Sequence, residues 1–307
     1  MFRRILRSIR ARRDIVRRRW TVYRAVKGRH LAETLEGFDA RWPDPSPPDD
    51  DPLFLLAAGW RSGSTFLQRL TVGSGDRIVW GEPFQRSEIV QRMAEQLRPF
   101  VARWPAESLF LDDQGEAEIV DEFIAMLYPE ADALRQAHRA YFDRLFAQPA
   151  RERGFSHWGL KEVRLRTEHA AYLRWLYPRA RFVFLVRNPY DAWLSYRPWR
   201  GWFWSWPDDM VNTPTQFGRH WRDSAEDFLR HHERVGGLLI RYEELHEPAT
   251  IARLEQHVGH SLPPPERLAR VGGARERDHR MPALEERLLR AHVGEAAQQL
   301  GYIGPSR

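Results

Sequence analysis

The sequence predicts an α/β fold, a single three-layer domain with a central parallel sheet and helices on both faces. Three observations carry that reading. Leu53 to Ala58 and Phe182 to Val186 are apolar without alternation, as strands buried on both faces are. Further strand-like runs at Arg77 to Gly81, near Gly159 to Val163 and across residues 238 to 242 alternate with helical patterns, the order that a parallel sheet requires. Each of the two apolar runs also ends in a short polar turn that opens directly into a helix.

Taken in order, the chain begins with a basic extension. Residues 1–30 hold twelve Lys and Arg against one acid, Asp14, a net +11 in a chain that totals +6, so the remainder sums to −5. Phe2, Ile5, Leu6, Ile9, Val16, Trp20 and Tyr23 fall near one helical face with Arg around the rest. Such a helix suits an anionic membrane surface or partner, or packing on its own domain or a second subunit. Its Arg-rich, acid-poor chemistry is also that of a transit peptide. The extension is assigned to residues 1–40. Residues 41–52, RWPDPSPPDDDP, read as an extended Pro/Asp-rich linker, and residues 53–307 as the α/β domain. Within it the order is strand 53–58, a helix from Thr65, strand 77–81 and helices across 86–148. A strand near 159–163, a helix over 166–177, strand 182–186 with its helix, a long helix over about 214–235, strand 238–242 and terminal helices follow. The length of 307 residues fits one α/β domain with appendages.

The turn Gly59 to Ser64 lies between a buried strand and a helix start. Free N–H groups and the helix dipole there converge on one spot, which makes an anion cradle. The loop resembles a phosphate-binding P-loop but is not a Walker A motif. Gly59 and Gly63 stand one residue too close for G-x-x-x-x-G-K-[ST], and no Lys follows the second Gly. Arg61 supplies the cation from inside the turn. Arg187 sits at the carboxyl end of the strand 182–186, where ligands bind in open α/β sheets. Asn188-Pro189 starts the next helix, and Ser195, eight residues after Arg187, can face the same anion. Two anion sites on two strands suggest a ligand with two separated phosphate groups.

R-S-G-S-T after one strand and L-V-R-N-P-x-x-x-x-x-S after a later one resemble the two cofactor motifs of sulfotransferases. Leu239 to Leu245, LIRYEEL, and the L-G-Y of Leu300 to Tyr302 are similar to late elements of that fold, so the resemblance runs over about residues 52 to 303. It implies 3′-phosphoadenosine-5′-phosphosulfate (PAPS) as sulfonate donor, without a metal. Arg61, Ser62, Gly63, Ser64 and Thr65 would hold its 5′-phosphosulfate and Arg187 and Ser195 its 3′-phosphate. Tyr242, at the late strand, would approach the adenosine or serve as a core residue. The R-S-G-S-T form looks like the carbohydrate and tyrosylprotein branches, whereas the small-molecule branch usually carries Lys in the loop.

Sulfuryl transfer needs a base for the acceptor proton and positive charge at the sulfonate and the bridging oxygen. Glu82, in G-E-P-F at the end of the strand 77–81, is the expected base. Its other reading is an ion pair with Arg61 or Arg86. Only two of the 48 basic residues are Lys, Lys27 in the extension and Lys161, so the catalytic body uses Arg everywhere but at Lys161. A compact ammonium differs from a planar guanidinium, and Lys161 joins Arg61 as expected charge stabiliser, in keeping with a similarly placed family Lys. His157, His231 and His232 are alternative bases, and no H-E-x-x-H spacing occurs. Trp193, Tyr196, Trp199, Trp202, Phe203, Trp204 and Trp206 crowd one segment, either as an acceptor platform or as a rigid cap over the cofactor helix.

The chain has no cysteine, which excludes disulfides, Cys-ligated zinc and a thiol nucleophile. It has no apolar run long enough to span a bilayer and no visible signal peptide. A cytoplasmic location, with peripheral membrane contact through residues 1–30, is expected. The acidic body disfavours nucleic acid as a partner. The expected acceptor is the hydroxyl of a glycan or glycolipid. A tyrosylprotein-type or small-molecule sulfotransferase, a kinase-like phosphotransferase and a non-catalytic binder of anionic partners are the alternatives.

Overall fold

Five strands, β1 (Leu53–Ala57), β2 (Arg77–Trp80), β3 (His157–Glu162), β4 (Arg181–Val186) and β5 (Leu238–Arg241), pair in parallel in the order β2-β3-β1-β4-β5. This is the parallel α/β sheet that the apolar runs predict. The computed structural model of the protein describes residues 29–84, 87–101, 104–110, 124–199, 211–268, 281–302 and 304. The basic segment 1–28 lies outside these residues, as do Arg86, Trp202, Phe203, Trp204 and Trp206.

Ten α-helices are described: α1 (Leu31–Arg41), α2 (Ser64–Val72), α3 (Ile89–Glu95), α4 (Ala131–Phe142), α5 (Gln148–Glu152), α6 (Thr167–Leu176), α7 (Pro189–Tyr196), α8 (Pro214–His231), α9 (Pro248–Val258) and α10 (Ala283–Gln299). Of the helices expected across 86–148, α3 and α4 lie in this span. After α3 the described chain runs through turns and two short 3-10 segments, Glu107–Leu109 and Ile124–Met126, before α4. Pro99 and Pro105 explain part of this, because neither has an N–H to donate within a helix.

The chain divides into two compact units, one from residues 1–45 with 92–136 and the other from 46–91 with 137–307. In the first, α1 buries Leu31, Leu35 and Phe38, and Phe38 stacks on Phe100 at 5.7 Å. Its fully buried Arg135 is balanced by Asp39 at 2.5 Å and Asp44 at 3.5 Å, which offsets the cost of an isolated interior charge.

The second unit holds the sheet. β1 is buried at all five positions, and β4 at every position after Arg181, because helices cover both faces. Phe54, Phe182 and Phe184 are almost fully buried, each contributing about 1.5–3 kcal/mol by the usual transfer scale. At the amino edge of the sheet, Asp51 of the Pro/Asp-rich stretch accepts from His157 at 2.8 Å and pairs with Arg181 at 3.5 Å. The connections from β1 and from β4 run to opposite sides of the sheet. The carboxyl ends of these neighbours therefore form the switch point at which such sheets bind ligands.

Candidate active site

Register places the expected residues. Trp80 is level with Leu160, so Gly81 falls level with Lys161 and Glu82, the next residue, lies one step beyond it, just past the end of β2. The two meet: Lys161 Nζ donates to Glu82 Oε1 at 2.6 Å, with the Lys161 side chain 7 % exposed and Glu82 25 %. The ion pair considered for Glu82 thus forms with Lys161. Next along β3, Glu162 and Arg164 close a second, buried pair at 2.6 Å. Burial pushes the Glu162 carboxyl above its usual range, Arg164 opposes that, and the neighbouring Glu82 charge adds to the rise.

The loop after β1 has positive φ at Gly59 (84°), Arg61 (61°) and Gly63 (88°), with Trp60 and Ser62 outside that region. Left-handed residues at every second position bend the loop tightly, the kind of turn in which backbone N–H groups form a nest for anions. Gly63 is the N-cap of α2 and gives it no side-chain cap, which leaves the first helical N–H groups to a ligand. Glycine is required at Gly63 on two counts. Its φ is left-handed, and an added Cβ would lie 2.0 Å from Tyr242 Cδ2. Ser62 Oγ is buried inside this loop and has no hydrogen-bond partner among the described residues.

β4 and β5 deliver the second motif. Val186 is level with Arg241, so Arg187 and Tyr242 follow side by side, and the guanidinium lies 4.6 Å from the centre of the Tyr242 ring. Arg187 also donates to the Arg61 carbonyl at 2.8 Å, while Arg61 Nε donates to Ser195 Oγ at 2.9 Å. The sequence places Ser195 with Arg187 on an anion separate from that of Arg61. The structure also links the two motifs through Arg61, which bonds to Ser195 on α7 and accepts from Arg187. Of the remaining loop residues, Ser64 is buried at the start of α2 and Thr65 is exposed.

The late segments anchor this edge. Asn188 caps α7 by accepting from Tyr190 N at 3.0 Å, and its own N–H donates to Glu243 at 2.8 Å. Tyr302 donates to the other Glu243 oxygen at 2.7 Å, and Asn188 Nδ2 donates to the Gly304 carbonyl at 2.8 Å. Burial and the Glu243 charge push the Tyr302 hydroxyl well above its ordinary pKa. The Y-E-E-L and L-G-Y segments therefore hold the turn that aims Arg187.

Two site neighbours went unread in the sequence. Trp60 stacks between His220 (5.0 Å) and Tyr196 (5.7 Å), and a Cβ on Gly59 would meet the His220 ring at 3.2 Å. Trp221 Nε1 donates to the Arg187 carbonyl at 3.0 Å and so fixes α8 over the strand end. One His in a long amphipathic helix gives no signal of this contact. The alternative bases lie elsewhere. His157 is at the opposite edge of the sheet with Asp51. His232 binds the Phe228 carbonyl, and His231 is eleven residues past His220, roughly 16 Å along the helix at 1.5 Å per residue. Trp193 and Tyr196 do not form an exposed platform. Both are fully buried, and Trp193 Nε1 donates to Glu285 while Tyr196 donates to the Val211 carbonyl.

The Arg-containing loop, the strand-end Arg and the Lys–Glu pair thus all lie at the carboxyl edge of one parallel sheet. The family model described as "Sulfotransferase family" matches residues 52–264, and the chain belongs to that family. Among solved structures, the sulfotransferase domain from the curacin biosynthetic pathway is 15 % identical and aligns over 85 % of this chain and 100 % of its own, with a TM-score of 0.48. The sulfotransferase domain of the Synechococcus PCC 7002 olefin synthase is 19 % identical over 86 % and 99 %, also at 0.48. A sulfotransferase from Alicyclobacillus acidocaldarius is 16 % identical over 81 % and 94 %, at 0.45. No curated protein matches the chain. Among the described residues no helix is long and apolar enough to cross a membrane.

Proposed function

We propose that this sulfotransferase moves the sulfonate of PAPS to the hydroxyl of a glycan or glycolipid acceptor. The observation that carries the reading is the Lys161–Glu82 contact at the edge where the Arg61 loop opens. The loop's own chemistry fits a phosphosulfate group. The buried Ser62 hydroxyl lacks a partner among the described residues, at a typical cost of about 1–3 kcal/mol for an unsatisfied group, and an incoming anion would relieve that cost. The uncapped N-terminus of α2 adds N–H donors. Arg187 Nε is likewise buried and unpartnered among the described residues, and with Ser195 it suits a second phosphate.

When bound, PAPS supplies a sulfonate activated by a phosphate leaving group. Glu82 takes the acceptor proton as the acceptor oxygen bonds to sulfur. Lys161 then has its ammonium free to balance charge on the sulfonate and the bridging oxygen, with Arg61 beside it. Positioning and charge stabilisation carry the rate, as in phosphoryl transfer. The +11 charge of residues 1–30 supports peripheral contact with an anionic membrane of a cytoplasmic enzyme, where a glycolipid acceptor would be met. Calorimetric titration tests the donor assignment. The desulfo product, 3′-phosphoadenosine-5′-phosphate (PAP), binds at least tenfold more tightly than ATP if the reading holds, and the reverse preference would favour a kinase-like phosphotransferase.

A further inference from the structure

Two residues past Glu82, the chain does something unfavourable. Phe84 has φ of 52°, in the left-handed region that a bulky side chain avoids, and it is 66 % exposed. It is the most exposed aromatic among the described residues. The turn is built to keep it there. Pro83 is buried and fixes the entry, Ser87 N donates to the Phe84 carbonyl at 3.3 Å, and Ser87 Oγ donates to the Pro83 carbonyl at 3.0 Å. Glu88 is a second left-handed residue, at φ 50°. A strained backbone that displays a large apolar group beside a candidate active site points to function, because the surrounding bonds must over-determine it.

We infer that Phe84 is the acceptor-binding platform of this site, stacking on the C–H face of a sugar ring whose hydroxyl is held by Glu82. The inference rests on the sulfonate-transfer reading above. Glu82 fixes one end of the geometry through its bond to Lys161. Two residues of chain span at most about 7 Å, so the Phe84 ring is within one sugar ring's reach of the base. A phenyl face is sequence-tolerant toward apolar ring faces and makes no demand on hydroxyl pattern, so it grips the ring and leaves the reacting hydroxyl to the carboxylate. Of the other aromatics read as a platform that are described, Trp193 and Tyr196 are fully buried, and Trp199, at 40 %, is less exposed than Phe84.

The test measures PAP release from PAPS with the methyl glycosides of glucose, galactose, mannose and N-acetylglucosamine as acceptors, and tyramine as a phenolic arm. At least one glycoside should accelerate release above that with water alone. For that acceptor, Phe84→Ala should raise KM about tenfold, the size of one lost aromatic contact, with a smaller change in kcat and unchanged PAP affinity. Phe84→Trp should restore KM to within about threefold, as a face of similar size does. Phe84→Gly should lose acceptor affinity as Phe84→Ala does while melting no lower than the parent, because glycine accepts the left-handed φ. A KM unchanged in Phe84→Ala overturns the inference, as does acceleration by tyramine alone or by no glycoside. Failure of PAP to bind the parent protein would instead remove the sulfonate-transfer reading on which it rests.

Discussion

Gly63→Ala strikes the point where the two halves of the site touch. The new Cβ would lie 2.0 Å from Tyr242 Cδ2 and 3.0 Å from Cγ, the root of the ring, so the whole ring must move. That motion takes Tyr242 off the Arg187 guanidinium, now 4.6 Å from its centre. Three costs follow. Alanine at φ 88° loses about 1–2 kcal/mol for the left-handed backbone, the displaced ring about 0.5–1.5 for leaving its rotamer, and the cation–π contact about 0.5–1. The expected destabilisation is about 2–4 kcal/mol, read from urea unfolding monitored by tryptophan fluorescence. PAP affinity should fall with it, because Arg187 loses its support. Tyr242→Ala in the same chain removes the collision but not the backbone cost. The double variant should therefore recover about 1–2 kcal/mol relative to the sum of the single changes. Additive effects, or a Gly63→Ala protein as stable as the parent, would refute the argument that Tyr242 packs on this loop.

Arg187→Ala and Ser195→Ala should each weaken PAP by about 1.5–3 kcal/mol, roughly 10- to 150-fold, and spare adenosine 5′-phosphosulfate, which lacks the 3′-phosphate. Calorimetry with both nucleotides checks this, and equal losses would contradict the assignment. Because Ser195 also accepts from Arg61, its removal should in addition slow turnover at saturating donor. Stability should fall with acid. Burial holds His138, His257 and His260 below their ordinary value of 6.5. Their contribution is therefore complete above pH 6.5 and lost as pH falls through the depressed folded values, since the unfolded chain takes up protons first. Urea midpoints at pH 7.5 and 5.5 should differ accordingly, and equal midpoints would show these histidines to be solvated.

Much of the site's frame was legible because it is local. β1 and β4 announce themselves as unbroken apolar runs, and the turns after them carry their ligand chemistry within a few residues. Glu82 and Lys161 stand out one at a time, by a strand-end position and by the rarity of Lys, yet their bond depends on the β2–β3 register, which no local pattern states. The Trp60–His220 stack and the Arg61–Ser195 bond join residues far apart in sequence and were invisible for that reason. Aromatic density alone left Trp193 and Tyr196 between a platform and a rigid cap, and burial with a partner for each polar atom places both rings in the core. The interruptions after α3 reflect Pro99 and Pro105, which the helical pattern across 86–148 obscured.

The central claim is that Glu82 is the proton acceptor for sulfonate transfer. Single-turnover release of PAP from PAPS, with saturating acceptor, tests it in Glu82→Gln, a change that keeps shape and removes the basic carboxylate. The rate should fall by about 10²–10⁴, the usual contribution of a general base, while PAP affinity stays within about threefold of the parent. A rate within threefold of the parent would contradict the claim and return the Lys161–Glu82 contact to a structural ion pair.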